Sequence, residues 1–372
     1  MERRVWVEIH GDKLVSNYRR IVERVKPAGV LCVLKANAYG LGVRNFATAL
    51  NNAGCGLFGV AQPFEAMELK AVCPKSHVQV LSSILPDEIP EMVRAGVVLP
   101  VIDFQTARLV SRAASRLGTR AKVHFKVDSG MGRLGVLADD AAATLEKVVA
   151  LPALDVDGAF SHLASAYDPE DVYTLRQIER FKAFLKAAAG LGVRFQKVHI
   201  AASDAINNFP QCAKRPFNLV RTGINLHGSF DPNGRRELNV ESVFSLKTRV
   251  AQVRSLPPGT TLGYSRTWCL GERSKIAVIS AGYADGLPLA LSNRGHVLIK
   301  GHVCPIVGRI SMDYTTVDVS QAGDVRPGDE VTCLGKDGQH SITPDDWASI
   351  KGTHAYDIIC SFGSRVERRY IP

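Results

Sequence analysis

The sequence predicts an α/β fold, a (β/α)8 TIM-type barrel followed by a mostly-β C-terminal domain. Two observations carry this. Between about residues 11 and 225, short β-rich apolar runs alternate with helix-like stretches, eight times in ~200 residues, the period of such a barrel. After about residue 228 the helical spacing stops. Short strand-like runs take over, punctuated by Pro257-Pro-Gly, Asn293-Arg-Gly, Arg326-Pro-Gly-Asp and Lys336-Asp-Gly. An open doubly wound sheet is the main alternative for the first part.

In chain order, a strand over 5–9 precedes the first barrel helix, 11–25, and is grouped with the β domain. The barrel strands are expected at 30–34, 57–60, 78–81, 97–102, 122–127, 155–160, 196–200 and 219–221. Helices separate them, among them 104–117 and 173–189. The latter has alternating charges at helical spacing and one apolar face. The turn-rich stretch 229–236 marks the junction. The barrel is assigned residues 11–230, and the β domain residues 1–10 plus 231–372. Strands in the latter are expected at 243–253, 275–279, 296–299 and 330–333.

Composition sets the class. The chain has 372 residues, 46% of them hydrophobic and 22% charged, as in a soluble globular protein. No apolar run approaches the ~20 residues that cross a bilayer. The opening Met1-Glu-Arg-Arg-Val-Trp-Val-Glu-Ile-His10 has no signal-peptide core, so a cytoplasmic location is expected. The eight cysteines form no C-x-x-C pair, which indicates neither a zinc site nor a disulfide framework and fits a reducing compartment. The net charge of +10 is spread along the chain, with short clusters such as 365–369 and no basic stripe interleaved with aromatics. Nucleic acid is not an expected partner, nor is a membrane. Small anions suit the charge.

Barrels of this kind work at the C-terminal ends of their strands. Gly29-Val-Leu-Cys-Val-Leu-Lys35 delivers one amine to such an end, before the glycine-containing loop Ala36-Asn-Ala-Tyr-Gly-Leu-Gly42. A desolvated lysine there is a nucleophile suited to Schiff-base chemistry, although lysines also end strands merely to reach solvent. Other strand ends carry Lys126 and Asp128, Ser161 and His162, His199 and Ser203, and Arg221. The set converges on one rim. Gly130-Met-Gly-Arg-Leu-Gly135 matches G-x-G-x-x-G after a strand, with Asp155 near the place of a ribose-binding acid. Against a dinucleotide site stand Arg133 inside the motif and the motif's position in mid-barrel rather than at its first turn.

Val33-Leu-Lys-Ala-Asn-Ala-Tyr-Gly-Leu-Gly42 resembles the pyridoxal-phosphate lysine motif of alanine racemases (fold type III). The resemblance runs through 124–135, 160–166, Arg221-Thr-Gly-Ile224, Gly263-Tyr-Ser-Arg-Thr267, Gly282-Tyr-Ala-Asp-Gly286, Val307-Gly-Arg-Ile-Ser-Met-Asp313 and Tyr356-Asp-Ile-Ile-Cys360. The lysine motif alone also fits single-barrel pyridoxal-phosphate homeostasis proteins. The resemblance implies the following roles. Lys35 bonds the cofactor and serves one face of the substrate, while Tyr264, from the other subunit of a homodimer, serves the opposite face. Arg221 faces the pyridine nitrogen, supported by His199, and His162 lies against the ring. Tyr39, Ser203, Gly223, Ile224 and Tyr356 hold the phosphate. Arg133, with Met312 and Asp313, holds the substrate carboxylate. Lys126 matches a lysine often carbamylated to brace Arg133, and Tyr283 lines the substrate channel. No metal is implied.

Five positions depart from the family pattern. Ala202 stands where Asn is frequent, Ser265 where Gly is common, His227 for the aromatic of Leu-Tyr-Gly, Leu289 for an arginine and Tyr314 for a Gln. None removes a catalytic group. The expected activity is racemisation of L- and D-alanine, supplying D-alanine for peptidoglycan. A serine or broader amino-acid racemase, or a non-catalytic pyridoxal-phosphate homeostasis protein, are the alternatives.

Overall fold

Residues 3–231 and 233–371 are described in the structure, a computed structural model. In chain order its first ten strands are β1 (Trp6–His10), β2 (Gly29–Val33), β3 (Leu57–Val60), β4 (His77–Val80), β5 (Leu99–Val101), β6 (Ala121–Asp128), β7 (Val136–Leu137), β8 (Leu154–Phe160), β9 (Lys197–His199) and β10 (Leu219–Thr222). Parallel ladders join β10 to β2, β2 to β3, β3 to β4, β5 to β6, β6 to β8 and β8 to β9. Two thinner seams close the ring. Val98 N–H donates to Val78 O (2.9 Å) and Val80 N–H to Val98 O (3.0 Å). Across the other seam, Asn218 N–H donates to Val198 O and Arg221 N–H to Ala201 O, both at 3.1 Å. The result is a closed eight-stranded barrel.

Its interior has two unlike walls. Leu31, Val33 and Leu219, with Leu57 and Leu81, form an apolar wall. The polar wall comes from β6, β8, β9 and β10, which bury His124, Lys126, Asp157, His199 and Arg221, so that β10 contributes to both. Polar groups in a barrel core are costly unless each finds a partner; Arg221, His199, His124 and Asp157 contact one another in a chain, and Lys126 finds a backbone carbonyl.

The helices follow their sequence signals. Gly11–Val25 buries Leu14, Asn17, Tyr18, Ile21 and Val25, one helical stripe. Asp103 caps Phe104–Arg116 by accepting from Thr106 N–H, and Asp171 caps Val172–Gly190 by accepting from Tyr173 and Thr174 N–H. No helix among the described residues is long and apolar enough to cross a membrane.

The C-terminal strands are β11 (Phe244–Leu256), β12 (Thr261–Leu262), β13 (Trp268–Cys269), β14 (Ser274–Ile279), β15 (His296–Ile299), β16 (His302–Pro305), β17 (Thr315–Asp318), β18 (Glu330–Asp337), β19 (His340–Ile342) and β20 (Glu367–Ile371). Nine strands form a sheet with the backbone order β16-β15-β18-β11-β1-β20, to which β14, β17 and β19 attach. β1 pairs antiparallel with β11 and parallel with β20. The run expected to stop at 333 continues to Asp337, because residues 335–337 pair with β19 across the turn at Gly338, whose φ is 60°.

Candidate active site

The lysine stands on an unusual piece of backbone. Immediately after Lys35, Ala36 (φ 53°, ψ 47°), Asn37 (55°, 49°), Ala38 (51°, 50°) and Tyr39 (φ 56°) form a left-handed turn without a glycine. Each such residue costs about 1–2 kcal/mol relative to the right-handed region, so the surroundings must over-determine it. They do. Glu65 accepts from Ala36 N–H at 2.5 Å, and from Ala61 and Gln62 N–H at 2.9 Å. Asn37 Oδ1 accepts from Val43 N–H (2.8 Å), and Arg368 Nε donates to Gly40 O (3.0 Å). The Tyr370 hydroxyl donates to the carbonyls of Leu41 and Gly42, where a Cβ on Gly42 would overlap it. Water reaches Lys35 through the open rim. Its pKa is nonetheless held below the ordinary lysine value, by burial first and by the charge of Arg133 second.

Beside this turn lies a cradle of hydroxyls. Gly223 N–H donates to Ser203 Oγ (3.0 Å), and a Cβ on Gly223 would overlap the Tyr39 hydroxyl. The Tyr39 and Tyr356 rings lie 5.6 Å apart. Burial pushes both phenols above their ordinary value, so both stay donors at physiological pH. Ile224 opens the short turn Ile224–His227, where the first N–H groups have no acceptor within the turn. Hydroxyls, backbone N–H groups and a floor that admits only glycine suit a phosphate.

Arg221 anchors the polar wall. Its Nη1 contacts His199 Nδ1 (2.7 Å), and its Nη2 donates to Ser161 O and Ile200 O (both 2.9 Å) and contacts His162 Nδ1 (3.1 Å). No carboxylate is among these partners. Burial and the Arg133 charge pull the guanidinium down to about 9, still protonated at neutral pH. Both histidines therefore accept from it as neutral rings, and burial and that same charge hold them well below their ordinary value. Behind His199, Nε2 meets His124 Nδ1 at 3.2 Å. His124 Nε2 lies 3.6 Å from Asp157 Oδ2, which Lys197 contacts at 2.6 Å. Phe160 stacks on His199 at 5.0 Å.

Lys126 is buried, donates to Leu81 O (2.8 Å) and lies 5.1 Å from the Phe160 ring centre. Burial, then Arg221 and Arg133, pull its pKa down to about 8. Arg133 is exposed at the same rim. In the loop carrying it, Asp128 accepts from the N–H groups of Gly130, Met131 and Gly132 (2.7–3.1 Å) and of Arg133 (3.0 Å). Burial alone would raise the Asp128 pKa, but these four donors hold it below the ordinary value. The glycine loop therefore spends four of its N–H groups on its own carboxylate rather than on a pyrophosphate.

The remaining predicted residues form a second cluster, on the β domain. Tyr264 is 70% exposed, and Tyr283, Met312 and Tyr314 are also exposed. A cleft of about 330 Å³ is lined by Gly263, Tyr264, Arg309, Ser311, Tyr314 and Thr316. Asp313 is gripped by Arg365 Nη1 (2.7 Å), which also binds Asp285 through Nε and accepts nothing itself; its Nη2 donates to Met312 O (3.2 Å). Ser265 takes φ 60°, the reason glycine suits that position. Within one chain no contact joins Tyr264 to Lys35 among the described residues. Sequence reasoning did not single out Glu65, Phe160, Arg365 or the His124–Asp157 pair. The only trace of Arg365 was a short basic cluster, and nothing in the spacing reveals which carboxylates it meets.

Comparison with known proteins gives a consistent result. The family described as alanine racemase, N-terminal domain, matches residues 9–231, and the corresponding C-terminal domain family matches 243–370. An alanine racemase of Halothermothrix orenii is 35% identical over 370 residues, covering 99% of this chain and 97% of the relative. One from Methanococcus maripaludis is 33% identical, covering 99% and 98%. Among solved structures, alanine racemase from Streptomyces lavendulae superposes with a TM-score of 0.94 at 31% identity, covering 100% of this chain and 98% of the other. That of Bartonella henselae, with covalently bound pyridoxal phosphate, gives 0.89 at 30% identity and full coverage of both chains.

Proposed function

The chain belongs to the alanine racemase family, and from that premise we propose that it interconverts L- and D-alanine with pyridoxal phosphate held at the barrel rim. One observation carries the reading. A lysine on a braced left-handed turn, a hydroxyl cradle floored by Gly223 and an arginine without a carboxylate partner share one rim. These residues fit the cofactor. Tyr39, Ser203, Tyr356 and the N–H groups of Gly223 and Ile224 would take its phosphate, Lys35 its aldehyde carbon, and His162 would lie against its ring. When bound, pyridoxal phosphate draws electrons from the substrate carbon bearing the amino group and so acidifies its C–H bond.

The protein's own groups do the rest. Arg221 has spent its two Nη groups on His199, His162 and backbone carbonyls, so its Nε–H is left to meet the ring nitrogen. Arginine keeps its proton, which leaves that nitrogen unprotonated and the electron withdrawal weak. Weak withdrawal favours return of a proton over side reactions. Lys35 Nζ, with its lowered pKa, exchanges a proton on one face of the substrate carbon, and the partner subunit's Tyr264 Oη exchanges one on the opposite face. Arg133 and the backbone at Met312 and Asp313 hold the carboxylate, Arg365 fixing the latter pair. Tyr283 lines the channel. A carbamate on Lys126 would replace a like charge beside Arg133 with an opposite one.

The separation of the two clusters in one chain supports a homodimer with shared sites, and the exposed Tyr264, Tyr283, Met312 and Tyr314 form its facing surface. A cytoplasmic role in supplying D-alanine for peptidoglycan completes the reading. The test is a chiral assay of L-alanine, L-serine and L-lysine with and without added pyridoxal phosphate. Cofactor-dependent D-alanine, formed faster than the other D-products, is expected. Faster turnover of serine would reassign the substrate, and no turnover of any would sink the enzymatic reading.

A further inference from the structure

His227 is completely buried, and both its ring nitrogens face acceptors. Nδ1 lies 3.0 Å from Gly223 O and Nε2 3.1 Å from Ala38 O. A neutral imidazole has one N–H and can satisfy only one carbonyl, leaving a lone pair against the other. An imidazolium donates to both. The ring is edge-on to Tyr39 (4.8 Å between centres) and stacked on Phe46 (5.1 Å), and aromatic neighbours of this kind favour a cation. The two carbonyls belong to different parts of the site. Ala38 lies in the left-handed turn behind Lys35, and Gly223 is the floor of the phosphate cradle.

We propose that His227 is a positioning residue, a proton-operated clamp that ties the lysine turn to the phosphate cradle when its ring carries both protons and releases one of them when it carries one. The proposal rests on the pyridoxal-phosphate reading of the cradle. A tyrosine here would have a single donor and no ionisation near neutrality, so the device depends on the histidine itself.

The groups packed around the ring leave the decision to it. Tyr39 from the turn is a phenol kept protonated, Phe46 comes from helix Val43–Asn52, and Asn17 of helix Gly11–Val25 is uncharged and donates to Leu226 O. Among the described residues no carboxylate or basic side chain shifts the imidazole. Burial lowers its pKa and the two carbonyls oppose this. The doubly held form therefore exists on the acid side of the ordinary histidine value of about 6.5. A phosphate dianion on the Gly223 side favours the charged ring, and by linkage the charged ring favours the dianion by the same factor. The contribution of His227 to affinity is thus fully present below the pKa of the free ring and is lost as pH rises through that of the cofactor-bound ring.

The test uses the full-length chain. Ring-nitrogen NMR follows His227, and hydrogen exchange follows the amides of residues 38–42, in the apoprotein and with pyridoxal phosphate bound. Cofactor dissociation is measured between about pH 5 and 8, spanning the histidine range, in the wild type, His227→Tyr and His227→Gln. The phosphate's own ionisation is common to all three and cancels. The expected result is a His227 pKa raised by cofactor and an amide protection that falls with rising pH in the wild type alone. Wild-type affinity should fall several-fold more than that of either variant across the range. Identical pH profiles in the three proteins, or a His227 pKa indifferent to cofactor, would overturn the clamp. If no protein takes up cofactor, the cofactor reading fails, and the apoprotein exchange data still decide whether the ring's proton holds the turn. Were both variants to misfold, the wild-type NMR and exchange profiles decide alone.

Discussion

Arg133 has two tasks that pull on the same proton. Its charge holds down the Lys35 pKa while its guanidinium waits for a carboxylate. The neutral amine is the form that reacts, so cofactor uptake by the apoprotein should speed up as pH rises and level off above the Lys35 pKa. Arg133→Gln removes a positive neighbour, raises that pKa and moves the rise to higher pH. Stopped-flow absorbance of cofactor binding would reveal the shift, and coincident profiles would dismiss the coupling. Lys126 supplies a second test. With its pKa near 8, about a tenth of the amine is free at pH 7 and open to carbon dioxide. Labelled bicarbonate should give a carbamate carbon signal that vanishes in Lys126→Ala, and a wild-type spectrum without it would leave Lys126 a plain buried amine. The residue types of the rim were legible in the sequence because strand ends in a barrel face one way. Their pairing was not. That His199 accepts from Arg221 and meets His124 behind it depends on side-chain reach across the barrel, which no spacing encodes.

At the level of elements, periodicity revealed the barrel strands and the helices near 104–117 and 173–189, since apolar stripes are local signals. The left-handed turn at 36–39 was illegible. Asn tolerates it but Ala and Tyr do not favour it, and the conformation is imposed by Glu65, His227, Arg368 and Tyr370 from distant parts of the chain. Two weaker spots follow from the same accounting. Ser265→Gly should relieve the positive φ and stabilise the protein by about 1 kcal/mol. Ala202 occupies the N-cap of Ser203–Asn208 without a side-chain bond, so Ala202→Asn should add about 1 kcal/mol. Thermal unfolding measures both. An unchanged or lower midpoint for Ser265→Gly would mean that its φ is not a cost.

At the scale of the whole molecule, the β domain carries Tyr264, 70% exposed and with no contact to Lys35 of its own chain among the described residues. Mixing inactive Lys35→Ala and Tyr264→Phe proteins should therefore restore activity, to about a quarter of wild type per site if subunits exchange at random and one intact site forms in each hybrid. No recovery after verified subunit exchange would confine each site to one chain. The closure of the central sheet by β1 between β11 and β20 has a consequence for synthesis. β1 leaves the ribosome well before β20, the strand it pairs with in parallel, Trp6 opposite Glu367 and His10 opposite Ile371. At ordinary elongation rates it waits roughly 20–70 s for that neighbour. β11 can cover one edge of β1 before then, but the other edge of this Trp-, Val- and Ile-containing strand stays open for the whole interval, a natural perch for a holding chaperone. Truncations that remove β20 should therefore harm yield more than the loss of one short edge strand would suggest.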